Sequence, residues 1–386
     1  MNAAMHAQQR SVPSDAEAIH FLHDVVSIPS VSGNERACVE HFAKTAVRWG
    51  FSAEIDAVGN GVATRCGSRN DAKTKPPVEL VLLGHIDTVP GNIPVRLENN
   101  VLHGRGSVDA KGPLAAMLIA AARVEIPNGA VVRVVAAVGE ETPHSIGARH
   151  IAKVLRPSAC IIGEPSGWDG VTLGYKGRLV MHVSSSHASG HSAGPIGSPA
   201  DAILAFWRQC LSHIDQLNTS HVGAFDIIQS TVRSMSTSSD GLQDGAQLQG
   251  GFRLPRWMPP RELESQIRRI AENVAVELTF EGHEACHVTD RNDPVVRAIS
   301  NAIRERGARP HPKTKTGTAD LNVVAPVWNC PIAAYGPGDS SLDHTPEERL
   351  AIPEFLNSIQ VLQSAIPAIL TASSEQRNSV QTMQPS

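Results

Sequence analysis

The residues best suited to chemistry in this chain are His85, Asp109, Glu140, Glu141, Glu164 and His344, with Asp87 close beside the first. His85 and Asp87 occur in Gly84-His85-Ile86-Asp87-Thr88-Val89-Pro90, directly after the apolar run Val78-Glu79-Leu80-Val81-Leu82-Leu83. Side chains alternate across a strand, so the pair is predicted to emerge on one side, with the carboxylate orienting the imidazole. Asp109 lies in Gly104-Arg105-Gly106-Ser107-Val108-Asp109-Ala110-Lys111-Gly112, where glycines let the backbone approach a site closely. Glu140 and Glu141 close a second apolar run, Glu164 stands between Gly163 and Pro165, and His344 follows the stretch from Gly336 to Asp343. Taken singly, each acid has an ordinary explanation as a helix cap or a solvated edge. Together they make a nitrogen and oxygen donor set without thiolate, suited to Zn²⁺, Co²⁺ or Mn²⁺. The supply exceeds one tetrahedral ion and matches two metals about 3.5–4 Å apart that share a carboxylate and a water. Successive side chains of an extended segment diverge. One of Glu140 and Glu141 is therefore expected to ligate, while the other acts as general base and later protonates a leaving amine.

Such a set needs a frame that brings distant segments to one place. The apolar runs Val78–Leu83, Val131–Val138 and Ala159–Ile162 read as buried strands of a mostly parallel sheet. Helical spacing starts near Asp15 and recurs over Asn34–Trp49, Pro113–Val124 and Ser145–Leu155, which implies an α/β layer architecture. In open sheets of this kind ligands sit beyond the carboxyl ends of the strands, where His85, Glu140 and Glu164 fall. The rhythm changes after Tyr175: a strand over Gly177–Ser185, a helix over Pro199–Leu217, strands over Ala224–Met235 and Ala246–Leu254, a helix over Pro260–Val274 and a strand over Val276–Phe280. That β-α-β-β-α-β order predicts a ferredoxin-like insert. The expected division is 1–174 and 286–386 for a discontinuous catalytic domain and 175–285 for the insert, with disordered tails at 1–14 and 373–386.

A chain of 386 residues is long enough for two cores, and its 41% hydrophobic and 19% charged residues describe an ordinary globule. Its net charge of −4 argues against nucleic acid as a partner. Six scattered cysteines without a Cys-x-x-Cys pair fit neither a thiolate zinc site nor a disulfide framework, which favours a reducing cytoplasm. No apolar h-region precedes Ser14 and no apolar run approaches the ~20 residues of a spanning helix, so neither secretion nor a membrane is expected.

The ordered segments GHIDTVP, GRGSVDAKG, GEET, GEPS and GPGDSSLDHT resemble the dinuclear zinc peptidases and deacylases that include acetylornithine deacetylase and succinyl-diaminopimelate desuccinylase. The resemblance runs from roughly Ile19 to Ile366. It implies a zinc-peptidase catalytic domain with an inserted ferredoxin-like α+β lid and dimerisation domain. It further implies that His85 and Glu164 bind one metal and Glu141 and His344 the other, that Asp109 bridges them, that Glu140 is the base, and that Asp87 orients His85. Within the family, IIGEPSGWDGVTLGYKGR, KTKTGTADLNVV and YGPGDSSLDHTPEER resemble the hydrolases that release lysine or ornithine from an amino-group carrier protein. The same machinery would serve an N-acetylornithine or N-acetyl-lysine deacetylase, a desuccinylase or a carboxypeptidase. A non-catalytic binding homologue would have lost the base or a ligand, and none is missing. Relatives carry a lid asparagine in a Gly-Gly-x-x-x-Asn segment; here Ser234–Gly245 reads as a Ser-rich turn instead.

The resemblance also assigns a lid histidine that reaches a partner subunit's site, which implies a homodimer; His191 fits that motif better than its neighbour His187. A substrate α-carboxylate calls for the planar fork of arginine, and Arg253 in Gly251-Phe252-Arg253 matches the family's lid arginine. Gly336 and Gly338 are expected to offer backbone N–H groups to the same carboxylate. Thr318 and Asp320, with Asn322, are expected to line a loop, Asp320 pairing with a substrate ammonium. Finally, Arg304, Arg306, Arg309, Lys313 and Lys315 face a single acid, Glu305, in a basic run that reads as a solvated face or as a rim steering a small acidic carrier protein.

Overall fold

A computed structural model describes residues 11–67, 77–191 and 197–382. The tail 1–10, the end 383–386 and Ser192 of the lid-histidine motif lie outside the described residues. The chain runs through α1 (Asp15–Ser27), α2 (Arg36–Arg48), β1 (Ser52–Ile55), β2 (Gly61–Cys66), β3 (Val78–His85), β4 (Arg96–Glu98), β5 (Val101–His103), α3 (Lys111–Arg123), β6 (Ala130–Ala137), α4 (Ile146–Val154), β7 (Ala159–Gly163) and β8 (Gly170–Tyr175). Next come β9 (Gly177–Ala188), α5 (Pro199–Asn218), β10 (Gln229–Ser239), β11 (Gln243–Leu254), α6 (Pro260–Ala271), β12 (Glu277–Glu284) and β13 (His287–Val288). The chain closes with α7 (Pro294–Glu305), β14 (His311–Lys315), α8 (Asp320–Trp328), β15 (Ile332–Ala334), β16 (Arg349–Ala351) and α9 (Ile352–Thr382). The described residues divide into two compact units. One takes those up to Leu173, Thr289–Lys313 and those from Val323 onward; the other takes Gly174–Val288 and Thr314–Asn322.

In the first unit the sheet order is β1-β2-β6-β3-β7-β15-β8. Its centre, β6-β3-β7-β15, is parallel, and the flanking strands are antiparallel. The central strands are runs of Val, Leu and Ile buried on both faces, the pattern a covered parallel sheet requires. Helix α3 packs on β3 and β6, and its residues Lys111–Ala122 are all buried, as expected of a helix apolar all round. Full burial of a side chain such as Leu80, Leu82 or Leu118 is worth about 1.5–3 kcal/mol. The functional consequence is convergence: β3, β6 and β7 lie side by side and end at His85, just before Glu140 and just before Glu164. Next to β7, β15 leads into the segment that carries His344.

In the second unit the strands run β10-β11-β9-β12, all antiparallel, with α5 and α6 packed on one face. Connection order and strand order together are those of a ferredoxin-like domain. Leu179, Met181 and Val183 of β9 form its core with Ile203 and Phe206 of α5 and Leu263 and Ile267 of α6. Thr314–Asn322 joins this unit because its polar side chains bind backbone there: Asn322 Nδ2 donates to Ala285 O at 2.8 Å, and Thr318 Oγ1 to Lys176 O at 2.8 Å.

The structure departs from the sequence reading at several points. Ser234–Gly245 is not an extended turn: β10 and β11 remain paired as far as Ser239 and Asp244, and the turn is confined to the residues between, where Asp240 Oδ1 accepts N–H bonds from Leu242 and Gln243. Serine and threonine read as loop, but on an exposed edge strand they serve equally well. Asp320 and Asn322 belong to the start of α8 rather than to a loop. The expected disordered tail from 373 is, as far as Thr382, a continuation of α9, since adding residues to a formed helix costs little after nucleation. Ile352–Glu375 is long and apolar enough to cross a membrane, although no unbroken apolar run announces it. Its Phe355, Ile359, Leu362, Ile366 and Ile369 are buried in the core of the first unit.

Candidate metal centre

Asp109 is the hub of the site. Its Oδ1 lies 3.1 Å from His85 Nε2 and its Oδ2 lies 3.1 Å from His344 Nε2, so the carboxylate spans the two imidazoles. His344 Nε2 is also 3.0 Å from the Glu141 carboxylate, and His85 Nε2 is 3.9 Å from Glu164 Oε1. His85, Asp109 and Glu141 each offer a ligand atom within 4.8 Å of the others. Glu140 is buried, and its backbone N–H is hydrogen-bonded beside that of Glu141.

The local sequence explains how these groups are held. Asp87 is fully buried and ties three segments together: Oδ1 accepts the Glu140 N–H at 3.1 Å, while Oδ2 accepts the Glu141 N–H at 3.0 Å and the Ser32 hydroxyl at 2.7 Å. It therefore fixes the Glu140–Glu141 backbone as well as neighbouring His85, whose Nδ1 sits 3.0 Å from the Asp87 main-chain oxygen and 3.5 Å from Oδ1. The turn carrying Asp109 is clamped by Glu348. One carboxylate oxygen accepts the N–H groups of Val108 and Asp109, both at 3.0 Å, and the other accepts Arg105 Nη1 at 2.7 Å. Lys111, just beyond, is buried and donates to Val25 O and Ile28 O, capping the carboxyl end of α1. Gly106 in this turn has φ +84°, and a Cβ there would lie 2.9 Å from Thr88 Cγ2. His344 itself adopts φ +62°, a left-handed conformation that costs a non-glycine residue about 1–2 kcal/mol and is maintained by its surroundings.

The carboxylates set the protonation of the two imidazoles. Burial alone would pull the His85 imidazole down, but hydrogen bonds to Asp109 and Asp87 outweigh it and hold the group well above its usual range. Hydrogen bonds to Asp109 and Glu141 raise His344 to about 10. Burial opposes ionisation of Asp109, yet hydrogen bonds from both histidines keep its carboxyl well below the usual range; burial pushes Glu141 up. The converging carboxylates thus recruit protons onto both imidazoles, at the place where divalent cations would balance the same charge. With nitrogen and oxygen donors converging and no thiolate, the residues fit metal binding.

The remaining expected site residues divide between the units. In the first, Gly338 is not available to a substrate carboxylate as expected, because its N–H donates to Glu354 Oε1 at 2.8 Å. Gly336 serves close packing, since a Cβ there would fall 2.6 Å from Pro113 Cβ and 2.9 Å from Glu164 O. In the second unit, Arg253 lies on β11 next to a small cavity. Thr318 spends its hydroxyl on Lys176 O, and Asp320 is buried at the start of α8. His191 is exposed beyond β9. His187 is held with its two ring nitrogens 2.9 and 3.0 Å from Ala188 O and Gly197 O. Glu348, Ser32 and Lys111 escaped the sequence reading. Lys111 alone left a signal there, as a buried charge at the head of a helix that is apolar from Pro113 to Ala122.

A parallel-centred α/β sheet with two histidines and several carboxylates beyond its strand ends, together with a ferredoxin-like unit inserted in the chain, defines the architecture of a metal-dependent hydrolase. The family model Peptidase family M20/M25/M40 matches residues 81–368, and the chain belongs to that family. It is 42% identical to the [LysW]-lysine hydrolase of Deinococcus radiodurans over 364 residues, covering 93% of this chain and 98% of that protein. Identity to the [LysW]-lysine/[LysW]-ornithine hydrolase of Sulfurisphaera tokodaii is 30% over 356 residues, with 90% and 94% coverage. Among solved structures, the M20 family metallo-carboxypeptidase Sso-CP2 from Sulfolobus solfataricus superposes with a TM-score of 0.74 at 16% identity, over 92% of this chain and 99% of that one. A dinuclear metal binding peptidase from the M20 family, of Bacillus subtilis, does so with a TM-score of 0.64 at 15% identity, over 92% and 98%.

Proposed function

We propose that this hydrolase is a dinuclear zinc enzyme that cleaves a linear amide, releasing lysine, ornithine or both from the γ-glutamyl end of an amino-group carrier protein. The observation that carries the reading is the Asp109 carboxylate spanning His85 and His344, with Glu141 and Glu164 beside them. The relatives named for [LysW]-lysine and [LysW]-ornithine support the substrate class. His85 and Glu164 would hold one ion and Glu141 and His344 the other, with Asp109 shared. When bound, the ions supply Lewis acidity, acidifying a water and polarising the amide carbonyl.

The chain's own groups do the rest. Glu140 takes the proton of the attacking water and returns it to the departing α-amine, so one carboxylate serves as base and then acid. Asp87, gripping the Glu140 and Glu141 N–H groups, keeps the base and the ligand from moving independently. Arg253 receives the α-carboxylate of the released amino acid. His191 of the partner subunit donates to the oxyanion of the tetrahedral intermediate, which makes the working unit a homodimer.

The test is the intact mass of a carrier protein bearing lysine on its terminal glutamyl γ-carboxyl. Wild-type enzyme should shift that mass down by one lysine minus the water gained. Glu140→Gln should keep its metal content while the rate drops by two or more orders of magnitude. An unchanged mass with wild-type enzyme would refute the substrate, and full turnover by Glu140→Gln would refute the base.

A further inference from the structure

A second cluster of nitrogen and oxygen donors lies on α1 and α2, within the first unit and apart in sequence from the residues of the metal centre. His20 and Asp24 stand four residues apart on α1 and so share one face of that helix. His41 of α2 approaches the same carboxylate: its Nε2 lies 3.7 Å from Asp24 Oδ2, and His20 Nε2 lies 3.5 Å from that same oxygen. His23 brings its Nδ1 to 3.9 Å from the other oxygen, Oδ1. Three imidazoles thus surround one carboxylate.

Hydrogen bonding does not account for this grouping. Separations of 3.5, 3.7 and 3.9 Å exceed the roughly 2.7–3.2 Å of a hydrogen bond. They come close to the spacing of donors around one ion, since bonds of about 2.1 Å at the tetrahedral angle place two donor atoms about 3.4 Å apart. His41 carries the argument furthest. Its ring is stacked on Phe21, with centroids 5.9 Å apart and planes 12° apart, which fixes its orientation. Its Nε2 is out of contact with solvent and has no hydrogen-bond partner, a costly state for a polar atom unless another group takes its lone pair. Burial pulls this imidazole down and outweighs the rise that Asp24 causes, so the ring is neutral at pH 7, the form that ligates. His20, by contrast, is 78% exposed and able to swing. Its movement toward His41 closes a site that is looser than that of His85, Asp109 and Glu141, whose donors all fall within 4.8 Å of one another.

We propose that His20, Asp24 and His41 bind a divalent transition-metal ion, Zn²⁺ above all, as a staple between α1 and α2, with water completing its shell. Two imidazoles and a carboxylate suit that class of ion. The staple spans the connection between the helices, residues 28–35. That connection supplies Ser30, whose hydroxyl donates to Ile86 O at 2.7 Å, and Ser32, whose hydroxyl donates to Asp87 Oδ2 at 2.7 Å. Pinning both ends of it braces the segment that supports Asp87. The staple acts whichever amide the enzyme cleaves.

The experiment dialyses the enzyme to equilibrium against buffered free Zn²⁺ across nanomolar to micromolar concentrations and counts bound zinc by elemental mass spectrometry. The wild type should bind one ion per chain that His20→Ala binds at least about ten-fold more weakly, because losing a ligand costs no less than losing a group that orients one. His311→Ala is the control. It removes an isolated pair of similar length, His311 Nε2 to Asp169 Oδ2 at 3.7 Å, and should retain the ion. Equal zinc binding by the wild type and His20→Ala overturns the site, as does an equal loss in His311→Ala, which would mark adventitious binding to surface histidines. A second readout uses the wild type alone: acylation of histidines by diethyl pyrocarbonate, mapped by peptide mass. Zn²⁺ at the concentration that fills this ion should protect His20 and leave His311 reactive. Undiminished acylation of His20 overturns the site.

Discussion

Removing the Glu348 side chain should uncouple the Asp109 turn from its support. Glu348 is 1% exposed and accepts two backbone N–H bonds, from Val108 and Asp109, together with the guanidinium of Arg105. Alanine leaves both N–H groups buried and unsatisfied, at about 1–3 kcal/mol each, and strips Arg105 of its partner. A loss of about 3–6 kcal/mol in unfolding free energy is expected for Glu348→Ala in the metal-free protein, read from guanidinium unfolding. Because the freed turn carries Asp109, the proposed shared ligand, metal affinity should also fall about 10–100-fold, measured by competition with a chelator. Glu348→Gln keeps an oxygen for the two N–H groups and loses the ionic half of the Arg105 contact. It should cost about 1.5–3 kcal/mol and leave metal affinity within a few-fold. Destabilised Glu348→Ala protein with wild-type metal affinity would refute the link between this clamp and the position of Asp109.

Metal loading should be coupled to proton release with a definite sign. His344, raised to about 10, and His85, also raised, are protonated in the metal-free protein at neutral pH, so both protons must leave when the imidazoles ligate. Calorimetry in buffers of different ionisation enthalpy should report up to two protons released at pH 7, fewer as the pH nears 10, and affinity rising with pH between. Release of no protons would contradict the ligand assignment. In the metal-free protein the same raised values add stability that is complete below about pH 6.5 and fades as the pH rises through about 10, which pH-dependent thermal melting will show. Reversing the exposed Arg309 and Lys313 to glutamate should raise KM for a carrier-linked substrate several-fold while altering little for a small N-acyl amino acid. Equal effects on both substrates would remove the docking role.

Much of this architecture was legible because local patterns agreed with the fold. Unbroken Val, Leu and Ile runs marked the central strands, and glycine and acid at their ends marked the candidate site. Side chains whose work is long-range left little trace. Glu348 acts on Asp109 from 239 residues away, and nothing in His344-Thr345-Pro346-Glu347-Glu348 separates it from its neighbour Glu347. Ser32, which reaches the Asp87 carboxylate, reads as loop. Gly338 looked like a donor to substrate because the sequence could not show Glu354 one turn into α9 already accepting its N–H. Serine in Ser234–Ser239 suggested a turn where the chain forms an edge strand, since hydroxyl side chains satisfy both environments and only pairing with β11 decides.

The proposed reaction releases an amino acid from a carrier-borne γ-glutamyl group. Its most direct test is the ratio of kcat/KM for carrier-linked lysine to that for Nα-acetyl-lysine, measured with one metal-loaded preparation. A preference of orders of magnitude for the carrier-linked substrate is expected. A preference for the acetylated amino acid would keep the hydrolase and its metal ligands but contradict the carrier protein as substrate.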